Sequence, residues 1–155
     1  MSATAGALAV IPARGGSKGI PGKNLQKVGG LSLVARSVQA AFASRGVDRV
    51  VVSTEDDAIA GEAQSHGAEV VRRPVAIAGD TASSESALLH ALDTLELQGP
   101  LPSWLVFLQC TSPFTSGAQI DQVLTALENP EINSAFAVAP WHGFLWRNDG
   151  RGINH

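Results

Sequence analysis

The feature that most constrains this chain is an apolar run, Ala7–Pro12 (ALAVIP), that leads directly into a glycine-rich, cationic stretch, residues 13–24. An unbroken apolar run this short reads as a strand buried on both faces, the kind found inside parallel sheets covered by helices. The same alternation then recurs. Residues 31–45 carry Leu33, Val34, Val38, Ala41 and Phe42 at helical spacing, and residues 49–53 (RVVVS) form a second strand-like run. Residues 56–66 place Ile59, Ala60 and Ala63 on one helical face, with Gly67 positioned to stop the helix. Glu69–Arg72 predicts a third strand, and residues 83–97 a helix striped by Ala87, Leu88, Ala91, Leu92 and Leu95. A fourth buried strand over 104–109 (WLVFLQ), a helix over 117–128 and a fifth strand over 134–139 (SAFAVA) complete the pattern. Such β-α repetition predicts an α/β fold, a mostly parallel sheet with helices on both faces.

Composition narrows the class of protein. With 155 residues, the chain suits one compact domain rather than two. Its 45% hydrophobic and 16% charged residues read as globular, and a formal net charge of -3 argues against a nucleic-acid binder working by bulk electrostatics. The single cysteine, Cys110, precludes an intrachain disulfide and a cysteine-rich metal site. The first eight residues lack a basic start and a long apolar run, so the expectation is a cytoplasmic protein without a signal peptide or membrane contact. Periodicity ends after Pro140, where an aromatic stretch (Trp141, His142, Phe144, Trp146) gives way to polar, glycine-containing residues.

In open parallel sheets, ligands gather beyond the carboxyl ends of the strands. Here those ends lead into Arg14, Ser17, Lys18, Lys23 and Asn24; into Thr54, Glu55, Asp56 and Asp57; into Arg72 and Arg73; and into Gln109, Cys110, Thr111 and Ser112. The first loop combines four glycines, which let backbone N–H groups approach a ligand, with three cations suited to a polyphosphate. It is no Walker A loop, because Ser17 precedes Gly22 by five residues and Asn24 follows Lys23. A solvated βα loop is the alternative reading; its length, charge and position after a buried strand favour phosphate binding. Ser83 reads as the cap of the strongest helix, a role compatible with anion binding at that helix end. Gln109, closing an apolar strand, reads as a buried amide in need of partners. Glu55, Asp56 and Asp57 suggest a metal cluster, but acidic residues opening a helix are the simpler reading.

Residues 10–24 (VIPARGGSKGIPGKN) resemble the nucleotide-binding signature of acylneuraminate cytidylyltransferases, the CMP-sialic acid synthetases. The likeness continues through residues 51–56 (VVSTED), 72–74 (RRP), 80–84 (DTASS) and 108–113 (LQCTSP), in order, across residues 8–139. Cys110 departs from the family, where proline often stands. The resemblance implies a Rossmann-like nucleotidyltransferase domain and a reaction: the anomeric hydroxyl of a nonulosonic acid attacks the α-phosphate of CTP, releasing pyrophosphate. It implies that Arg14 and Lys23 are catalytic, handling the phosphates and leaving group. Arg14, Ser17, Lys18, Lys23, Asn24, Arg73, Ser84 and Gln109 would bind the nucleotide, and Gln109, Thr111 and Ser112 the sugar.

The resemblance further implies Mg²⁺ (or Mn²⁺) as cofactor and a homodimer in the full-length protein. In the family, the carboxylate pair holding the metal lies beyond the point matching residue 155, so the metal ligands in this sequence are unknown. Residues 1–140 are accordingly expected to form the nucleotide-binding α/β domain, and residues 141–155 the start of an incomplete acceptor or dimerisation segment. Two alternatives stand beside this reading. One is a related nucleotidyltransferase with another sugar or base (CMP-Kdo, CMP-pseudaminate or a GMP-sugar). The other is a non-catalytic nucleotide-binding fragment.

Overall fold

The computed structural model of the chain describes residues 6–17, 19–79, 82–140, 146–149 and 151. Among them a four-stranded parallel sheet is built from β1 (Ala7–Pro12), β4 (Val47–Thr54), β5 (Glu69–Arg72) and β6 (Trp104–Phe107), in the spatial order β5-β4-β1-β6. The register aligns the strand exits: Pro12 pairs with Ser53, Thr54 with Arg72, and Val10 with Phe107. The chain therefore builds outward from β1 to β5, then returns to the other side of β1. That reversal opens a crevice at the carboxyl ends of β1 and β6.

Alternation along β1 feeds two cores. Ala9, Ile11 and Ala13 pack against α1 (Leu33–Phe42) and α2 (Asp57–Ser65) through Val34, Val38, Ala41, Ile59 and Ala63. Leu8 and Val10 face the opposite layer, where Ala91 and Leu95 of α3 (Ser84–Glu96) cover Val51 and Val71. Both faces of β1 are thus buried, which is why it reads as an unbroken apolar run. At about 1.5–3 kcal/mol for each large apolar side chain withdrawn from water, this central strand anchors the domain. The fourth helix, α4 (Gly117–Ala126), lies beside α1 and is tied to the turn after it by Asp121, which accepts from Ser44 Oγ at 2.6 Å and Arg45 N at 2.9 Å. Those hydrogen bonds, led by the one from Ser44, hold the Asp121 carboxyl below its usual range.

Three expectations need correction. The helix expected over 31–45 starts at Leu33, because Leu31–Ser32 (β3) pairs with Lys27–Val28 (β2) in a small antiparallel hairpin. Its turn is Gly29–Gly30, both at positive φ, the two-residue signal of a tight hairpin. Ser32 then serves as the helix cap, its Oγ accepting from Ala35 N at 3.1 Å. The buried strand expected over 104–109 is four residues long and lies at the sheet's edge, with Leu105 39% and Phe107 40% exposed. The strand expected over 134–139 is absent: these residues are described without ladder pairing, and Phe136 and Val138 are 83% and 79% exposed. Apolar alternation marks a segment that can pair, but the ladder itself needs a neighbour, and among the described residues it has none.

Candidate functional site

A cleft of about 280 Å³ opens at the crevice beside β1 and β6. Its lining joins three strand exits. Arg14, Ser17, Lys23 and Asn24 come from the loop after β1, Arg73 from the exit of β5, and Gln109 and Thr111 from beyond β6. Ser84, the first residue of α3, completes the set. Seven of the eight residues assigned to the nucleotide thus share one cavity. Lys18 lies outside the described residues, and Ser112 does not line the cleft. The Ser112 N–H instead closes a turn onto the Gln109 carbonyl at 3.0 Å.

The loop after β1 is held by specific bonds. Asn24 is 6% exposed and donates from Nδ2 to the Arg14 carbonyl at 2.9 Å, folding the loop back on its own start. Arg14 donates from Nη1 to the Gly79 carbonyl at 3.1 Å, which spans the cleft's rim. Lys23, half-exposed, opens a short 3-10 helix (Lys23–Leu25) on the same lining. The glycines do not all serve a ligand as expected. Gly15 donates its N–H to Glu55 Oε1 at 2.7 Å, and a Cβ there would lie 2.5 Å from Asp56 Oδ2.

The acidic trio divides its labour. Asp56 caps α2, accepting from Ile59 N at 2.9 Å, and Asp57 in the first turn pairs with Arg72. Glu55 turns towards the site, where its Oε2 accepts from Arg73 Nη2 at 3.0 Å, with the side chains 5% (Arg73) and 16% (Glu55) exposed. Arg73 also donates its backbone N–H to Thr54 O at 3.0 Å. Its Nε is buried and has no hydrogen-bond partner among the described residues. The sequence carries one clue to Glu55: it stands one residue ahead of the helix cap, outside the turn where an acid serves the helix dipole.

On the far wall, Gln109 is exposed rather than buried, because β6 stops two residues earlier at the sheet edge. Cys110 beside it is buried, and burial pushes its thiol up to about 11. Arg36 braces this wall, a role that sequence reasoning missed. It donates to Val28 O at 2.6 Å and Pro113 O at 3.1 Å, and its guanidinium lies 6.0 Å from the Phe114 ring centroid. Ser83 acts as expected, its Oγ accepting from Ser86 N at 3.1 Å while the residue lines the cleft. The positive end of α3 thus adjoins the cations.

Among the described residues no cluster of three acidic, histidine or cysteine side chains suits a metal ion, and no carboxylate lines the cleft. This donor set does not fit Mg²⁺ or Mn²⁺, hard ions that take oxygen ligands. Trp141, His142 and Phe144 lie outside the described residues.

Comparison with known proteins places this geometry. A family model described as Cytidylyltransferase matches residues 8–143. The chain is 33% identical over 144 residues to N-acylneuraminate cytidylyltransferase from Oncorhynchus mykiss, covering 93% of this chain and 32% of that protein. It is 33% identical over 135 residues to 3-deoxy-manno-octulosonate cytidylyltransferase from Rhodopseudomonas palustris, covering 87% and 53%. Among solved structures, a CMP:2-keto-3-deoxy-manno-octonic acid synthetase complexed with CTP superposes with a TM-score of 0.69 and 25% identity, covering 81% of this chain and 48% of that one. A nucleotidyl transferase from Methanothermobacter, at TM-score 0.62 and 19% identity over 77% and 57%, shares the fold. The chain thus spans about a third to a half of the curated relatives it matches. By its sequence match and its Rossmann-like nucleotidyltransferase architecture, this chain belongs to the cytidylyltransferase family.

Proposed function

We propose that this chain forms the CTP site of an enzyme that transfers CMP to a sialic-acid-like nonulosonic acid. The observation that carries the reading is the convergence of Arg14, Lys23, Asn24, Arg73, Ser84 and Gln109 on one cleft at the switch point of the sheet. In the reaction, the anomeric oxygen of the sugar forms a bond to the α-phosphorus. The bond from that phosphorus to the bridging oxygen breaks, the hydroxyl proton is lost, and pyrophosphate leaves. Such transfer depends chiefly on positioning and on neutralising charge. Arg14 and Lys23 supply two cations for the phosphates and the leaving group, and the start of α3 adds a favourable potential.

Asn24 and Arg73 are fixed by protein contacts and suit the nucleotide, whereas exposed Gln109 and Thr111 suit the sugar-facing side. On this reading the complete protein requires Mg²⁺ or Mn²⁺ and works as a cytoplasmic homodimer; the family resemblance supports these points. Residues 1–140 supply the nucleotide domain, and residues 141–155 begin the acceptor or dimerisation segment.

A second reading keeps CTP and changes the sugar. It is favoured by the relatives themselves, which include, beside the 3-deoxy-manno-octulosonate cytidylyltransferase above, a CMP-N,N'-diacetyllegionaminic acid synthase from Legionella pneumophila, 38% identical over 108 residues, covering 69% of this chain and 47% of that protein. Thermal shifts with CTP, UTP, ATP and GTP, followed by pyrophosphate release with a panel of nonulosonic acids and with 3-deoxy-manno-octulosonate, test both. Stabilisation by CTP above the other nucleotides is the expected result. Equal shifts, or none, would remove the cytidine assignment. Release with 3-deoxy-manno-octulosonate alone would select the second reading.

A further inference from the structure

We propose that Glu55 is a positioning residue whose carboxylate fixes the Arg73 guanidinium against the first loop, so that the Arg73 Nε–H is held ready for the nucleotide. The inference rests on the reading of the cleft as a CTP site. One carboxylate is divided between two strand exits. Glu55 Oε1 accepts from the Gly15 N–H at 2.7 Å, on the loop after β1, and Oε2 accepts from Arg73 Nη2 at 3.0 Å, at the exit of β5. The Arg73 side chain is 5% exposed and that of Glu55 16%. A charged pair taken this far out of water is retained at a desolvation cost, and its geometry, rather than its net attraction, is what it supplies.

The surroundings leave little freedom. Thr54, fully buried, accepts from the Arg73 N–H at 3.0 Å through its carbonyl and from the Asp56 N–H at 3.1 Å through Oγ1. Gly15 lies so close to Asp56 that any Cβ would clash with it. Residues 54–56 therefore latch the exits of β1 and β5 together, with Glu55 at the centre. Against that order, one donor stands out: Arg73 lines the cleft, and its buried Nε has no partner among the described residues. Buried donors are normally satisfied, and in this cleft a nucleotide acceptor is the group that would satisfy this one. Glu55 itself does not line the cleft, so it acts through Arg73.

The test is a set of CTP titrations by calorimetry on the full protein, using Glu55→Ala, Arg73→Ala, Lys23→Ala and the double variants. Glu55→Ala should weaken CTP about tenfold or more, as loss of an oriented charge-assisted donor does. It should cost no more than about twofold further in an Arg73→Ala background, yet its full tenfold in a Lys23→Ala background. A general loss of structure would not produce that split. If Glu55→Ala does not fold, Glu55→Gln, which keeps an acceptor for Gly15, takes its place.

Unchanged affinity in the Glu55 variant, or a tenfold loss that persists without Arg73, overturns the proposal. Failure of the wild-type protein to bind CTP would strike the functional reading instead. Positioning is then decided by ¹H–¹⁵N spectra of the arginine side chains. The Arg73 Nε–H should be sharp and slow to exchange in the wild type, and should merge with exposed arginines in Glu55→Gln. A signal that stays sharp in Glu55→Gln refutes the positioning role.

Discussion

The two walls of the cleft are built to different standards. On the side of β1, β4 and β5, the functional groups are held by other protein groups: Asn24 on the Arg14 carbonyl, Arg73 on Glu55 and Thr54, Gly15 on Glu55. On the side of β6, Gln109 and Thr111 are exposed, their mutual contact is long at 3.5 Å, and the strand beneath them is half open to solvent. Rigid support beneath one wall suits a ligand with fixed charges, the triphosphate and its nucleoside. The proposed second substrate falls to the other, more exposed wall. On the function proposed above, the nucleotide takes the β1 side and the acceptor the β6 side.

Substitutions can break or sharpen this contrast. The largest effect is expected from Arg73→Ala, which leaves Glu55 partly buried and unpaired. About 3–5 kcal/mol of stability should be lost, read from chemical denaturation, together with part of the affinity for CTP, which stays measurable by calorimetry. Next come Arg14→Ala and Lys23→Ala, each expected to weaken CTP about 10- to 100-fold, measured by calorimetry. Lys23 is half-exposed, so its variant should unfold within about 0.5 kcal/mol of the parent. If either variant bound CTP normally, the β1 wall would lose its phosphate role.

A smaller effect concerns pH. The Cys110 thiol, raised by burial from 9.0 to about 11, favours the folded protein while it stays protonated. Its contribution should be complete below pH 9 and fade as pH rises towards 11, because the unfolded thiol ionises first. Replacing Cys110 with Ala should remove that alkaline loss; an unaltered slope would assign it elsewhere. The smallest effects belong to the exposed segment: Phe136→Ser and Val138→Ser should change stability by less than about 0.5 kcal/mol. A larger loss in either would show that the segment packs where the described contacts place it in solvent.

The sequence was most legible where burial on both faces leaves a one-dimensional trace. Ala7–Pro12 and Glu69–Arg72 are strands with the expected bounds, and the stripes of Ile59 and Ala63 and of Ala91 and Leu95 face the cores. Seven of the residues that the family signature assigns to the nucleotide share the cleft, and the strand-end rule explains why they meet. What escaped depends on distance through space. Glu55 looked like a helix acid because its neighbours Asp56 and Asp57 are, and nothing local reveals that Arg73, eighteen positions away, comes within 3.0 Å. Gln109 looked buried because the apolar run hides that β6 is an edge. Residues 134–139 have strand-like alternation, but pairing belongs to the neighbour as much as to the segment.

The most direct test is an ¹⁵N-resolved titration of the protein with CTP. Shift changes concentrated at residues 14–24, 73–84 and 107–111, saturating together, are the predicted result. Saturable changes elsewhere, with the glycine-rich loop and Arg73 unmoved, would contradict the assignment of this cleft to the nucleotide.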